Sequence, residues 1–314
     1  MKPSLTLFLL IFSICCSQLS VAQGLNKNDS LNSAWNKIKN PKEKVDAILQ
    51  FLDMPENQFL DNTIDFAKRA YEIAQQSDYA KGKINSMLKL GNCYYRSSDY
   101  KKAMEFAQKS KEMADDLNYD KELANSFNLI GVIYSELVDY DNSSPYYFKA
   151  LKIFEKLADK EGIARSLGNI GLDFYDQQAY KKALEYLNNS LTIALSIDNQ
   201  ILIKKQYNNI ANVYAAQQNY DTAIVFFRKA LVIEKKLGDK MGEGISIMNI
   251  GYIQMNKENF KDAFLSFQQS LDIATELNNH LHMAKCRLNL GYCYYGVKNI
   301  EASLNYFNKA LIEG

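Results

Sequence analysis

Apolar residues along this chain fall at helical spacing, interrupted at short polar breaks. Leu167, Ile170, Gly171 and Phe174 stand at i, i+3, i+4 and i+7, which puts them on one face of a single helix. The pattern breaks at Asp176-Gln177-Gln178 and resumes with Tyr180, Ala183, Leu184, Leu187, Leu191 and Ala194, a second amphipathic helix closed by Asp198-Asn199. Sister breaks read Asp159-Lys160-Glu161-Gly162 and Gly238-Asp239-Lys240, residue types that favour turns. The pattern predicts paired helices, repeated.

The repeat has a fixed period of 40 residues. A small residue marks each unit: Gly91, Gly131, Gly171, Ala211, Gly251 and Gly291. Three residues on come Tyr94, Tyr134, Phe174, Tyr214 and Tyr294, with Gln254 as the exception. Nine on come Tyr100, Tyr140, Tyr180, Tyr220, Phe260 and Ile300. Small residues return twelve on (Ala103, Ser143, Ala183, Ala223, Ala263, Ser303) and nineteen on (Ser110, Ala150, Ser190, Ala230, Ser270, Ala310). Such periodicity is the mark of a stacked-repeat protein, whose core grows with unit number instead of closing on itself. Glycine inside a helix costs about 1 kcal/mol relative to alanine, so the anchors need a reason. Close approach of the paired helix supplies one, and Ala211 indicates that the constraint is volume. On that reading Gly171→Leu is disruptive and Gly171→Ala nearly harmless.

Small residues at these helix positions, with an aromatic three after the first, resemble the tetratricopeptide repeat. The match runs from Lys81 to the C-terminus. The unit is longer than the family's usual one and lacks its closing proline, which is similar to the branch seen in kinesin light chains, LGN-type adaptors and Rap-type bacterial regulators. HEAT and armadillo arrays share a similar period but not the small–aromatic–small pattern. The resemblance implies an all-α, right-handed superhelical solenoid of helix-turn-helix units that binds along the surface lined by each unit's first helix. Counting back one period finds a worn copy at 41–80: Ala67, Ala70 and Ile73 align with Ala107, Ser110 and Met113, while Phe51 replaces the glycine and Met54-Pro55-Glu56-Asn57 makes the turn. Pro41 opens that copy, since proline tolerates a first helical turn. The resulting division is 1–22, a signal peptide; 23–40, a polar lead-in with an amphipathic piece around Leu31, Trp35 and Ile38; 41–80, the degenerate repeat; and 81–314, six units, the last expected to be truncated.

Composition narrows function chiefly by exclusion. With 37 basic and 36 acidic residues the net charge is +1, and no basic stripe offers the footprint of a nucleic-acid binder. Lys2, an apolar run from Leu5 to Cys16, and Ser20-Val21-Ala22 ahead of Gln23 read as an export signal. The run is short of the roughly 20 residues a spanning helix requires. The mature chain is thus expected to be exported, periplasmic or secreted in a bacterium, with no membrane span. Cys93, Cys286 and Cys293 are expected to be free thiols, since their spacing suits no disulfide. His280, His282, Cys286 and Cys293 are the only grouping that resembles metal ligands, but no third ligand joins His282 and Cys286, so neither metal nor cofactor is expected. Nothing resembles a catalytic constellation, and the chain is not expected to be an enzyme.

The candidate site is a ladder. Asn169, Asn209, Asn249 and Asn289 stand two residues before four successive anchors, a position where the first two units have Lys89 and Leu129. An amide both donates and accepts, so a column of them can pair with an extended peptide backbone, and the resemblance implies that use here. The competing reading is that each Asn bonds a neighbouring helix and fixes stacking; both stay open. Arg165, Lys205 and Lys285 precede three of the asparagines by four residues and share their face. Leu172, Asn212, Tyr252 and Tyr292 extend the stripe on the other side. Cations, amides and aromatics together suit a peptide with acidic side chains or a free carboxylate, although solvated lysines are also ordinary helix surface. Most tyrosines sit at repeat anchors and are expected in the core. Two functions follow: an exported scaffold for an extended peptide or protein segment, or the sensor part of a signalling protein, such as a histidine kinase or transcriptional regulator, whose output lies beyond Gly314.

Overall fold

The computed structural model describes residues 31, 34–54 and 62–313, and among them every regular element is an α-helix. Residues 1–22, read as an export signal, most of the lead-in, and the turn at Pro55-Glu56-Asn57 lie outside the described residues. The chain forms two compact units, one running to Leu129 and one from Ile130 onward. The first holds α1 (Pro41–Asp53), α2 (Thr63–Gln76), α3 (Ala80–Arg96), α4 (Tyr100–Asp116) and the start of α5 (Asp120–Glu136). The second holds the end of α5, then α6 (Tyr140–Lys156), α7 (Lys160–Asp176), α8 (Tyr180–Ser196), α9 (Gln200–Ala216), α10 (Tyr220–Leu237), α11 (Lys240–Asn256), α12 (Phe260–Glu276), α13 (His280–Gly296) and α14 (Ile300–Glu313).

Helix starts are set by a repeated cap. Asp99, Asp159, Asn199, Asp239 and Asn279 each accept from the backbone amide three residues on, at 2.9–3.1 Å, which satisfies a donor the first turn leaves orphaned. The break expected at Asp159-Lys160-Glu161-Gly162 is accordingly shorter: Lys160, Glu161 and Gly162 already form the first turn of α7, and Asp159 is its cap.

The repeated small and aromatic residues join the two helices of each unit. Ser110, Ser190 and Ser270 lie nineteen residues after their anchors and donate to the Ile84, Ala164 and Gly244 carbonyls of the paired helix. The hydroxyl therefore acts as a tie, where the sequence spoke only of small volume. The aromatic three after the anchor stacks on a second ring twelve residues further on: Tyr94 on Phe106, Tyr134 on Tyr146, Phe174 on Tyr186, Tyr214 on Phe226 and Tyr294 on Tyr306, with centroids 5.3–5.8 Å apart. The exception at Gln254 is a paired exchange. Ser266 replaces the second ring, and its hydroxyl donates to Gln254 Oε1 at 2.7 Å.

At Gly171 a Cβ would lie 2.7 Å from Leu187 Cγ and 3.2 Å from the Leu187 amide nitrogen. The fit is thus backbone against a buried side chain, and even alanine is not harmless there, contrary to the expectation from volume alone. At Gly251 the nearest atoms, on Phe267 and Ser266, are at 3.0 Å. We expect Gly171→Ala to lose about 1–3 kcal/mol through overpacking, partly offset by the roughly 1 kcal/mol gain in helix propensity, and Gly251→Ala to lose less. Thermal melts of the two variants check the order; equal melting temperatures would contradict it.

Candidate functional site

The four asparagines lie on α7, α9, α11 and α13, the first helices of successive pairs, all in the second compact unit. First helices touch directly, α7 against α9 and α11 against α13. Asn169, Asn249 and Asn289 are half-buried, and their side chains make no hydrogen bond within the described residues. Asn209 is more enclosed, at 9% exposure, and its amide donates to Gln206 Oε1 at 3.4 Å. The four therefore share a register without sharing an environment.

The cations divide in the same way. Arg165 is half-buried, with its guanidinium over the Phe154 ring at 5.9 Å. Lys205 keeps an open path to solvent although protein surrounds it closely. Desolvation by that surrounding protein, and then the nearby Arg165 charge, hold its ammonium below the ordinary lysine range. No acidic group contributes to that shift, so α7 and α9 bring two like charges together. Lys285, on α13, is exposed, and Ile245 occupies the corresponding place on α11 between them. Asn212 is half-buried, while Tyr252 and Tyr292 are about half open, with Tyr292 edge-on to Phe307 at 5.2 Å.

The asparagine that fixes stacking is the neighbour, Asn208. Its amide donates to Glu234 Oε1 at 2.9 Å, and its oxygen accepts from Ser246 Oγ at 3.2 Å, joining α9, α10 and α11. Glu234 is buried, and burial pushes its carboxyl above the usual range. Sequence reading passed over Asn208 because only its own unit has an asparagine paired with a buried acid at these positions. An apolar cleft of about 360 Å³, lined by Phe260, Phe264, Leu265, Cys293, Tyr294 and Val297, opens between α12 and α13 and was also not foreseen.

Of the four residues that resemble metal ligands, His282, Cys286 and Cys293 are buried in the core, whereas His280 is exposed. His282 Nε2 lies 2.9 Å from Ser270 Oγ, which also accepts from the Cys286 thiol at 3.3 Å. All three residues are buried. Burial raises the Cys286 thiol and pushes Cys293 up to about 11, so neither is a thiolate at neutral pH. Among the described residues no three potential metal ligands come together, and no helix is long and apolar enough to cross a membrane. Burial, with Lys285 nearby, holds His282 below its ordinary value of 6.5. A depressed folded-state value means that the unfolded chain takes up the proton first, so stability present above about pH 6.5 is lost as the pH falls below it. The melting temperature should drop between pH 7.5 and 5.5 more steeply for the wild type than for His282→Gln; parallel pH profiles would contradict this.

The sequence profile of the tetratricopeptide repeat matches residues 84–117, 122–196, 205–237 and 243–311. No curated protein matches the chain by sequence. Among solved structures, a Rap protein complexed with competence and sporulation factor is 14% identical, with a TM-score of 0.67, covering 91% of this chain and 92% of its own. Aspartyl phosphate phosphatase F from Bacillus subtilis is 17% identical, with a TM-score of 0.60 and coverages of 99% and 76%. BtubC (BKLC) from P. vanneervenii is 20% identical, with a TM-score of 0.58 and coverages of 70% and 93%.

Proposed function

Because the chain belongs to the tetratricopeptide-repeat family, we propose that it is a non-catalytic scaffold binding an extended peptide or protein segment across α7, α9, α11 and α13. The observation that carries this reading is the state of the ladder amides: Asn169, Asn249 and Asn289 recur at one repeat position, reach solvent, and have no hydrogen-bond partner within the described residues. Amides kept for stacking would be bonded, as Asn208 is. Solved structures of similar fold are described as a Rap protein with competence and sporulation factor and a conjugation regulator with the Phr* peptide, which supports a peptide ligand. Lys205, Arg165 and the exposed Lys285 favour a peptide that offers carboxylates. Residues 1–22 support export to the periplasm or the medium. In the second reading, in which the array is the sensing part of a larger signalling protein, the same face receives the ligand.

Selection from a displayed library of random peptides tests the proposal. Enriched peptides should carry Asp, Glu or a free C-terminus, bind more weakly as salt rises, and be lost on Lys205→Ala with Lys285→Ala. No enrichment, or enrichment indifferent to both substitutions, would count against it.

A further inference from the structure

The turn between α5 and α6 and the first turns of α6 gather features that the ladder does not use. Val138, in that turn, holds φ at 60°, a left-handed conformation that β-branched residues resist. The residues described in the same conformation at this repeat position elsewhere, Ser98, Gln178, Gln218, Glu258 and Lys298, are not β-branched. Pro145 lies inside α6, where its missing amide hydrogen removes the helical bond to the Asp141 carbonyl. Ser143 and Ser144, just before it, are weak helix formers.

These turns are held by a carboxylate on the next helix. Asp173, on α7, is 1% exposed and accepts hydrogen bonds from Ser135 Oγ at 2.6 Å, from Ser144 Oγ at 3.1 Å, and from Ser143 Oγ. Elsewhere the same position is Cys93, Ile133, Val213, Ile253 or Cys293, and the position of Ser144 is Met104, Leu184, Ile224, Phe264 or Leu304. One seam has thus replaced apolar contact with a carboxylate bound by three hydroxyls. Its charged surroundings are also acidic: Asp176 is held above the usual carboxylate range by burial and then by Asp173 and Glu136.

We propose that Ser135, Ser143, Ser144 and Asp173 form a catch on a strained turn, so that the α5–α6 turn and the first turns of α6 open and close as one local unit. Hydrogen bonds to a single carboxylate can be released together, whereas an interdigitated apolar seam must be unpacked. Local openings of this kind lie well below global unfolding in free energy. The catch stands on α7, the helix that also carries Arg165 and Asn169, and it does not depend on the ladder binding anything.

Hydrogen–deuterium exchange of the full chain, read at residues 137–146, tests the catch. Asp173→Asn should raise exchange there by roughly tenfold or more, with α9 to α12 unchanged. Pro145→Ala and Val138→Gly, each removing a source of strain, should slow it in the otherwise wild-type chain. The combined variant Ser135→Ala, Ser143→Ala, Ser144→Ile and Asp173→Ile copies the seam of Ala215, Ala223, Ile224 and Ile253 and should also slow it. Wild-type exchange in Asp173→Asn would overturn the proposal. If that variant does not fold, unchanged exchange in both Pro145→Ala and Val138→Gly would overturn it equally.

Discussion

Trp35→Ala is expected to lose about 3–5 kcal/mol of stability, the range for truncating a buried aromatic. Trp35 is 1% exposed and meets Phe51 and Phe66 edge-on, with centroids at 5.4 and 4.9 Å. Arg69 lies over the indole and donates to Asn36 Oδ1. With Leu31 and Ile38, this tryptophan packs into the cluster formed by α1 and α2, so a segment that reads as lead-in completes the core of the first compact unit. Phe51, where the degenerate copy lacks its glycine, is one of the walls. As the only tryptophan in the chain, Trp35 reports on this cluster alone, and its fluorescence in a denaturant titration should track that unit. Trp35→Phe should recover much of the loss, measured by circular dichroism. A loss below about 1 kcal/mol in Trp35→Ala would show that Leu31, Trp35 and Ile38 do not belong to the core.

The fold was legible because a repeat states its own rule many times. Gly91, Gly131 and their successors fixed the period, and the rings following them fixed the facing surfaces. What the sequence could not show were side-chain contacts peculiar to one seam. Gln254 reads as a lapse until Ser266 is seen to have changed with it. Asp173 reads as an ordinary polar residue near a helix end until Ser135, Ser143 and Ser144 are found converging on it. The site was half legible for the same reason: periodicity placed four asparagines in one register, but only the packing separates the more enclosed Asn209, bonded to Gln206, from Asn249 and Asn289, which have no such bond.

The claim that the ladder binds a peptide is tested most directly by melting and affinity measured together on two variants, with a peptide from the displayed-library selection as probe. In Asn249→Ala with Asn289→Ala, binding should weaken by about 1–3 kcal/mol, because the peptide backbone loses partners, which is roughly 5- to 150-fold in affinity. The melting temperature should barely move, since both amides are solvated in the free protein. Asn208→Ala should do the reverse: it strips the buried Glu234 carboxyl of a donor, costs about 1–3 kcal/mol of stability, and leaves affinity unchanged below its transition. If the Asn249/Asn289 variant instead melts early and binds the peptide as the wild type does, the ladder is part of the scaffold and the binding face lies elsewhere.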